Sequence, residues 1–311
     1  MTASPNSASG IETTFGTAER AAARFLAEQA RHEDLGLADD LTTRSLVSPQ
    51  DEGRVAIVSR GRGVFAGLPV VAEVLSVYQA QLDLEVVQSE GATVRPGDAV
   101  ARLSGALADL LIVERTILNF LSYLSGIASL TRRFVDETRG TRAEVFDTRK
   151  TLPGYRQLAK YAVRAGGGRN HRMGLYDQAL VKDNHLAGWL AARAAESPTG
   201  ARPGLDAVVR QVKQAVPGMV VEVEVDTLAQ LEQVLAGPVD IVLLDNMPPP
   251  RLREAVALRD RLAPAVELEA SGGVNLTTIR AIAETGVERI SVGALTHSPT
   301  ILDLGFDWTG G

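Results

Sequence analysis

"VVEVEVDTLAQLEQVLAGPVDIVLLDN", residues 220–246, decides the fold. It sets an apolar, β-branched run ("VVEVEV") before a helical stretch ("TLAQLEQVLA") and a second apolar run ("DIVLLD"). Strand, helix and strand in that order make parallel pairs joined by crossover helices. The alternation extends through the chain after residue 140, with further strands expected at "AEVFDT", "QALVK", "VELEAS" and "RISVG" and further helices at "GLDAVVRQVKQAV" and "TTIRAIAETG". Six such strands form either a barrel or a doubly wound sheet.

The ends of the strands carry the chemistry. Polar groups or glycine stand at each carboxyl end: Thr148, Arg149 and Lys150; Lys182 and Asp183; Glu224; Asp245; Ser271, Gly272 and Gly273; Gly293. In (β/α) barrels these ends converge on one face, where active sites are built. Arg149, Lys150 and Lys182 end apolar strands, so their long cations are expected at the barrel mouth. Glu224 and Asp245 suit structural ion pairs, or Mg²⁺ and sugar hydroxyls, since Mg²⁺ takes one or two carboxylates with phosphate oxygens and water. His171 and Arg172 follow "AGGG", a loop, so a core histidine is not expected there. "ASGG" and "SVGA" end the last two strands, where glycine lets backbone N–H groups approach a phosphate. Arg156, Lys160 and Arg164, spaced i, i+4 and i+8, are expected to form a solvated helix stripe.

Charge points the same way. The 311 residues carry a net charge of −6, yet residues 147–185 hold eight Arg or Lys against three Asp, a local +5 that leaves −11 elsewhere. Such a gathering means a solvated helix face or an anion pocket. A pI near 5.4 excludes a general nucleic-acid binder. The absence of cysteine excludes disulfides, thiolate nucleophiles and zinc–sulfur sites, and agrees with a reducing cytoplasm. "MTASPNSASGIETTFG" has neither the basic end nor the apolar stretch of a signal peptide, and residues 1–16 are expected to be a disordered tail. Before residue 140 come a helix at about 17–31, strands at "RVAIVSR" and "LDLEVV", the turn "GATVRPGDAV", and a long apolar helical region at 106–138. Glu114, Arg115 and Arg132 make that region too charged for a membrane, so buried packing is expected.

The chain resembles the quinolinate phosphoribosyltransferase family in "ERTILNFLSYLSGIAS", "DTRKTLPGYR", "AGGGRNHRMGLYDQALVKDNH", "LLDNM" and "EASGG", and the likeness runs from "HEDLGLADDLTT" to "VGALTHSPTILDLGFDW". The resemblance implies an α/β fold in two parts: an N-terminal α/β sandwich domain at 17–126, joined by 297–311, and an open (β/α) barrel at 127–296. It implies transfer of phosphoribose from phosphoribosyl pyrophosphate to quinolinate with loss of CO₂, giving nicotinate mononucleotide and pyrophosphate for NAD biosynthesis. Mg²⁺ is the implied cofactor, and a homodimer the implied assembly. Arg149, Arg172 and an Arg115 contributed by the partner subunit resemble a dicarboxylate clamp, with His171 and Lys182 beside it and Thr148 at its edge. Lys150 and His297 resemble phosphate or pyrophosphate contacts. Glu224 and Asp245 resemble the residues holding ribose hydroxyls and Mg²⁺, with Lys150 and Lys182 counted beside them as catalytic. Ser271, Gly272, Gly273, Gly293 and Ala294 resemble the cradle of the 5′-phosphate. One departure is "AGWLAARAAESPTGARPG", longer than the usual connection and expected to bear on loop mobility. Three rival readings are a phosphoribosyltransferase of different base specificity, a Schiff-base aldolase acting through Lys182, and a non-catalytic pyridine-nucleotide or phosphosugar sensor.

Overall fold

The computed structural model describes residues 14–196 and 204–310. Residues 1–13, most of the expected tail, and residues 197–203, within the long connection, lie outside the described residues. The chain forms two compact units. One comprises the chain through Arg132 with Leu152–Gly167 and Pro299–Gly311, the other Arg133–Thr151 with Gly168–Ser298.

The first unit contains α1 (Thr17–Leu35), α2 (Leu41–Leu46), β1 (Glu52–Ser59), β2 (Gly63–Val64), α3 (Leu68–Tyr78), β3 (Leu82–Val86), β4 (Thr93–Val94), β5 (Ala99–Ala106), most of α4 (Leu107–Glu137), α5 (Arg156–Ala165) and β12 (Leu304–Gly310). An antiparallel sheet runs in the order β12–β1–β5–β3, and β2 pairs with β4. The last strand lies on β1, with Phe306 opposite Ile57. Gly126 makes that return possible, since a Cβ there would collide with the Thr300 backbone. Beside it the Leu302 N–H donates to the Ser122 carbonyl at 3.0 Å.

Helix α4 is long and apolar enough by composition to cross a membrane, but 67% of its most apolar stretch is buried within the fold. Val113, Ile117, Leu121 and Leu124 form its inner stripe, the 3–4 residue spacing of a core-facing helix.

Helix α5 corrects one expectation. Its Arg156, Lys160 and Arg164 are not a solvated stripe: Lys160 is fully buried, and Arg164 pairs with Glu19 of α1 at 2.8 Å. Charges at helical spacing define a face, but only the neighbouring helix decides whether that face meets water.

The second unit contains β6 (Glu144–Phe146), β7 (Ala179–Val181), α6 (Asp183–Glu196), α7 (Leu205–Ala215), β8 (Val221–Val225), α8 (Leu228–Leu235), β9 (Ile241–Asp245), α9 (Pro249–Leu262), β10 (Glu267–Ser271), α10 (Ile279–Ala283), β11 (Arg289–Ser291) and α11 (Ala294–His297). The sheet order is β6–β11–β10–β9–β8–β7, with every adjacent pair parallel. β6 and β7 are its two edges, so among the described residues the barrel is open. Val221, Val223 and Val225 of β8 and Val242 and Leu244 of β9 are buried, as strands covered by crossover helices require. The connection from β8 to β9 is fixed locally: Thr227 Oγ1 accepts from the Gln230 N–H at 3.2 Å, and Gln230 Oε1 accepts from the Thr227 N–H at 3.0 Å. This reciprocal pair caps α8. After β7 the chain enters α6, so the first part of the long connection is helical.

Candidate active site

A cavity of about 520 Å³ opens at the carboxyl ends of the strands in the second unit. Strand geometry explains its lining. Alternate residues of a strand face the same way, so each strand end sends an inward pair toward the axis: Leu180 and Lys182, Leu243 and Asp245, Glu269 and Ser271. All six line the cavity, with Glu224, Ser291 and Thr148. Register levels them, since Ser271 lies opposite Asp245 and Glu224 opposite Leu243.

The cationic side is built by the segments after β6 and before β7. Arg149, Lys150, His171 and Arg172 line it together. Arg149 Nε is buried and has no hydrogen-bond partner. Arg172 is buried, and its Nη1 donates to the Gln178 carbonyl at 3.1 Å. Burial, and then the neighbouring Arg149 charge, push its guanidinium below the usual arginine range. Neither arginine lies within ion-pair distance of a carboxylate among the described residues. Two guanidiniums that repel each other, one with an unmet buried donor among the described residues, have the charge and geometry to hold a planar dianion.

Glu224 and Asp245, both half-buried, form the acidic side. Glu224 Oε2 lies 3.3 Å from Lys182 Nζ, in a pair whose lysine side chain is half exposed. Asp245 Oδ2 accepts from Asn246 Nδ2 at 2.7 Å. Asn246 adopts a left-handed backbone, with φ of 53°, and its N–H donates to the Ser271 carbonyl at 2.9 Å. Its amide occupies the space that a Cβ on Gly272 would need. Gly272 also has φ of 93°, so only glycine fits without strain. The turn after β9 and the glycine loop after β10 are therefore interlocked, and Asp245 is oriented at the junction.

Gly293, Ala294 and His297 do not line the cavity among the described residues. Gly293 sits at its rim, where an added Cβ would lie 3.0 Å from Lys150 Cδ and 3.3 Å from the His297 ring. Thr296 Oγ1 donates to the Lys150 carbonyl at 2.9 Å. Arg115 is exposed on α4 in the first unit and is not among the lining residues.

His171 corrects a second expectation: although it follows a loop, it is a buried histidine at the cavity floor. Its Nε2 lies 3.1 Å from Glu222 Oε2 and 3.4 Å from Glu269 Oε1, both carboxylates being fully buried. Arg289 Nε donates to Glu269 Oε2 at 2.7 Å. Burial opposes a charged ring, but Glu222 and then Glu269 outweigh it and raise His171 to about 9. Glu222 is itself pushed up by burial and by Glu269. Glu269 is held down, against burial, by His171 and Arg289. The Arg172 N–H lies 2.8 Å from His171 Nδ1 and donates to it whenever that nitrogen is unprotonated. One proton beyond the neutral ring's own offsets two acids and one arginine, and it belongs to the buried pair of His171 and Glu222 as a whole.

The ligand atoms of His171, Glu222 and Glu269 lie within 4.8 Å of one another. Gln178 meets Glu222 Oε2 and Arg289 meets Glu269 Oε2, while Glu222 Oε1 and Glu269 Oε1 have no hydrogen-bond partner among the described residues; Glu224 and Asp245, nearer the mouth, are the pair more open to a hydrated cation. Sequence reading stopped at the strand ends and missed Glu222, Glu269, Asn246 and Gln178. The signal for the two glutamates was present, since each stands two residues before a selected position on the same strand face.

Comparison with known proteins also divides the chain in two, at bounds other than those of the compact units. Residues 40–125 match the profile of the quinolinate phosphoribosyl transferase N-terminal domain, and residues 127–307 that of the C-terminal domain. The chain is 44% identical over 288 residues to the nicotinate-nucleotide pyrophosphorylase [carboxylating] of Mycobacterium leprae (strain TN), covering 92% of this chain and 97% of that protein. It is 39% identical over 279 residues to the probable enzyme of the same name from Bacillus subtilis (strain 168), covering 89% and 90%. The structure of the nicotinate-nucleotide pyrophosphorylase from Francisella tularensis superposes with a TM-score of 0.84 at 33% identity, covering 93% of this chain and 97% of that one.

Proposed function

The chain belongs to the quinolinate phosphoribosyltransferase family, and we propose how its barrel mouth performs the family's reaction. That reaction moves phosphoribose from phosphoribosyl pyrophosphate to the ring nitrogen of quinolinate, then releases CO₂, leaving nicotinate mononucleotide and pyrophosphate for NAD biosynthesis. One observation carries the assignment of sites: the adjacent guanidiniums of Arg149 and Arg172, with the orphaned Arg149 Nε, ask for a planar dicarboxylate.

With quinolinate held there, its nitrogen faces the acidic side. Glu224 and Asp245 bind the ribose hydroxyls and stabilise the positive charge that develops as the bond to pyrophosphate breaks. Lys150, beside His297 at the rim, and Lys182 take the leaving pyrophosphate. Ser271, Gly272 and Gly273 hold the 5′-phosphate, with Gly293 and Ala294 closing the cradle. Once the carbon–carboxylate bond breaks, the N-ribosylated ring accepts the electron pair, and a proton then replaces the carboxylate. Glu224 and Asp245 form an all-oxygen pair suited to Mg²⁺, which would neutralise pyrophosphate. Lys182 Nζ is engaged by Glu224 at 3.3 Å, a contact that suits binding of an anionic leaving group better than attack on a carbonyl.

The dicarboxylate clamp takes its third arginine from a second copy. Arg115 is exposed and outside the cavity lining, which fits a two-fold dimer that exchanges this residue between sites. Arg115→Ala and Lys150→Ala are each expected to be nearly inactive, while dissociating and mixing them restores about a quarter of wild-type activity through hybrids with one intact site. No recovery despite subunit exchange confirmed by mass spectrometry overturns the shared site. A reducing cytoplasm is the compartment that suits a chain without cysteine.

The decisive assay offers phosphoribosyl pyrophosphate, Mg²⁺ and either quinolinate or nicotinate, then measures nicotinate mononucleotide and CO₂. Product is expected from quinolinate alone. Equal use of nicotinate overturns the clamp, because a monocarboxylate leaves one arginine-lined position empty.

A further inference from the structure

Beneath the clamp, four residues close a hydrogen-bonded circuit. Gln178 Nε2 donates to Glu222 Oε2 at 2.6 Å. Arg172 Nη1 donates to the Gln178 carbonyl at 3.1 Å, and the Arg172 N–H donates to His171 Nδ1 at 2.8 Å. His171 Nε2 returns to Glu222 Oε2 at 3.1 Å. All four residues are buried. Asp177 closes the loop between the two ends, accepting from the Met173 and Gly174 N–H groups at 2.7 and 2.9 Å. Asp147 accepts from the His171 N–H at 2.9 Å. Among the described residues neither Gln178 nor Glu222 lines this cavity; Gln178 instead lines a neighbouring one that shares Arg172 and Leu180 with it.

We propose that Gln178 and Glu222 are positioning residues that aim the Arg172 guanidinium at the dicarboxylate, and so set affinity and selectivity for that substrate. This rests on the clamp reading given above. Arg172 is pushed away by the Arg149 charge, and an arginine side chain has rotamers enough to turn aside. The circuit removes that freedom. One Nη is tied to a carbonyl whose own residue is anchored 44 positions along the chain at Glu222, which fixes the plane of the fork and leaves its other donors to the ligand. Glu222 also places a negative charge near the guanidinium, offsetting the repulsion without competing for the ligand face.

The test uses full-length dimeric enzyme and two variants. In Gln178→Leu, quinolinate affinity, by calorimetry without phosphoribosyl pyrophosphate, is expected to weaken about tenfold and its KM to rise in step, because a buried bond to a charged group is lost. kcat should change less than about threefold, the KM for phosphoribosyl pyrophosphate should hold, and the preference for quinolinate over nicotinate should narrow. The exchanged pair Gln178→Glu with Glu222→Gln reverses the central bond and should recover most of the affinity. Unchanged quinolinate affinity in folded Gln178→Leu overturns the proposal. A matching loss for both substrates, with a lowered melting temperature, also overturns it, since that marks a purely structural role. If Gln178→Leu does not fold, the exchanged pair decides: recovered affinity supports positioning, and a folded pair without it refutes it. Wild type that binds no quinolinate would instead refute the clamp reading, leaving the two failures distinct.

Discussion

Glu222 and Glu224 share a strand and a face, two residues apart, and do different work. Glu224 sits at the mouth beside half-exposed Lys182, where solvent screens the pair and a ligand can displace the lysine. Glu222 lies one inward step deeper, fully buried, between His171 and Gln178. There a lone charge is costly, so the group shares a proton with its neighbour. The same contrast separates Asp245 from Glu269. Depth along the barrel axis, about 7 Å for two strand residues, turns one residue type from a reactive group into a support.

That contrast can be broken from either level. The largest effect is expected at the mouth: Asp245→Asn should lower turnover by about two to four decades while quinolinate binding survives, since the lost interaction belongs to the transition state. Calorimetry finding quinolinate binding abolished, with saturated turnover intact, would contradict the division. Below the mouth the loss should be in stability. Glu222→Ala takes the nearer acid from His171 and leaves Gln178 Nε2 unmatched in a dry site, and should cost about 3 kcal/mol in chemical denaturation, whereas Glu224→Ala, losing a pair whose lysine is half exposed, should cost under about 1 kcal/mol. Equal costs would mean that burial does not distinguish the two.

Gly272→Ala tests the junction at the mouth. Its Cβ would displace the Asn246 amide from a glycine held at φ of 93°, so turnover should fall about tenfold or more with about 1–2 kcal/mol of stability. A fully active variant would show that Asn246 does not orient Asp245.

A further effect is in pH. The folded pKa at His171 is raised from 6.5 to about 9, so its contribution to stability is fully present below about pH 6.5 and is lost as pH rises through about 9. The unfolding free energy should fall across that window by on the order of 3 kcal/mol, and less steeply in Glu222→Gln, which removes one partner of the proton. A flat wild-type profile would place the shared proton elsewhere.

Much of the site was legible because strands end abruptly in sequence. Arg149, Lys150, Lys182, Glu224, Asp245 and Ser271 all terminate apolar runs, and a parallel barrel gathers such ends on one face. Less was legible where partners lie far apart in the chain. Gln178 is unremarkable in "YDQAL" until folding sets Glu222 against it. Lys160 reads as a surface cation because helical spacing gives a direction but not a neighbour, yet it is fully buried in the fold. His171 reads as a loop residue because the acids that enclose it come from β8 and β10.

By itself the sequence determined the order of elements, the parallel sheet and the identity of most groups at the mouth, since periodicity and strand termination are local properties of the chain. Only the tertiary structure decided the protonation of the floor, the aim of Arg172 and the interlock of Asn246 with Gly272. Those depend on distances and burial between residues tens of positions apart, and electrostatics in a dry interior is set by such distances rather than by residue type.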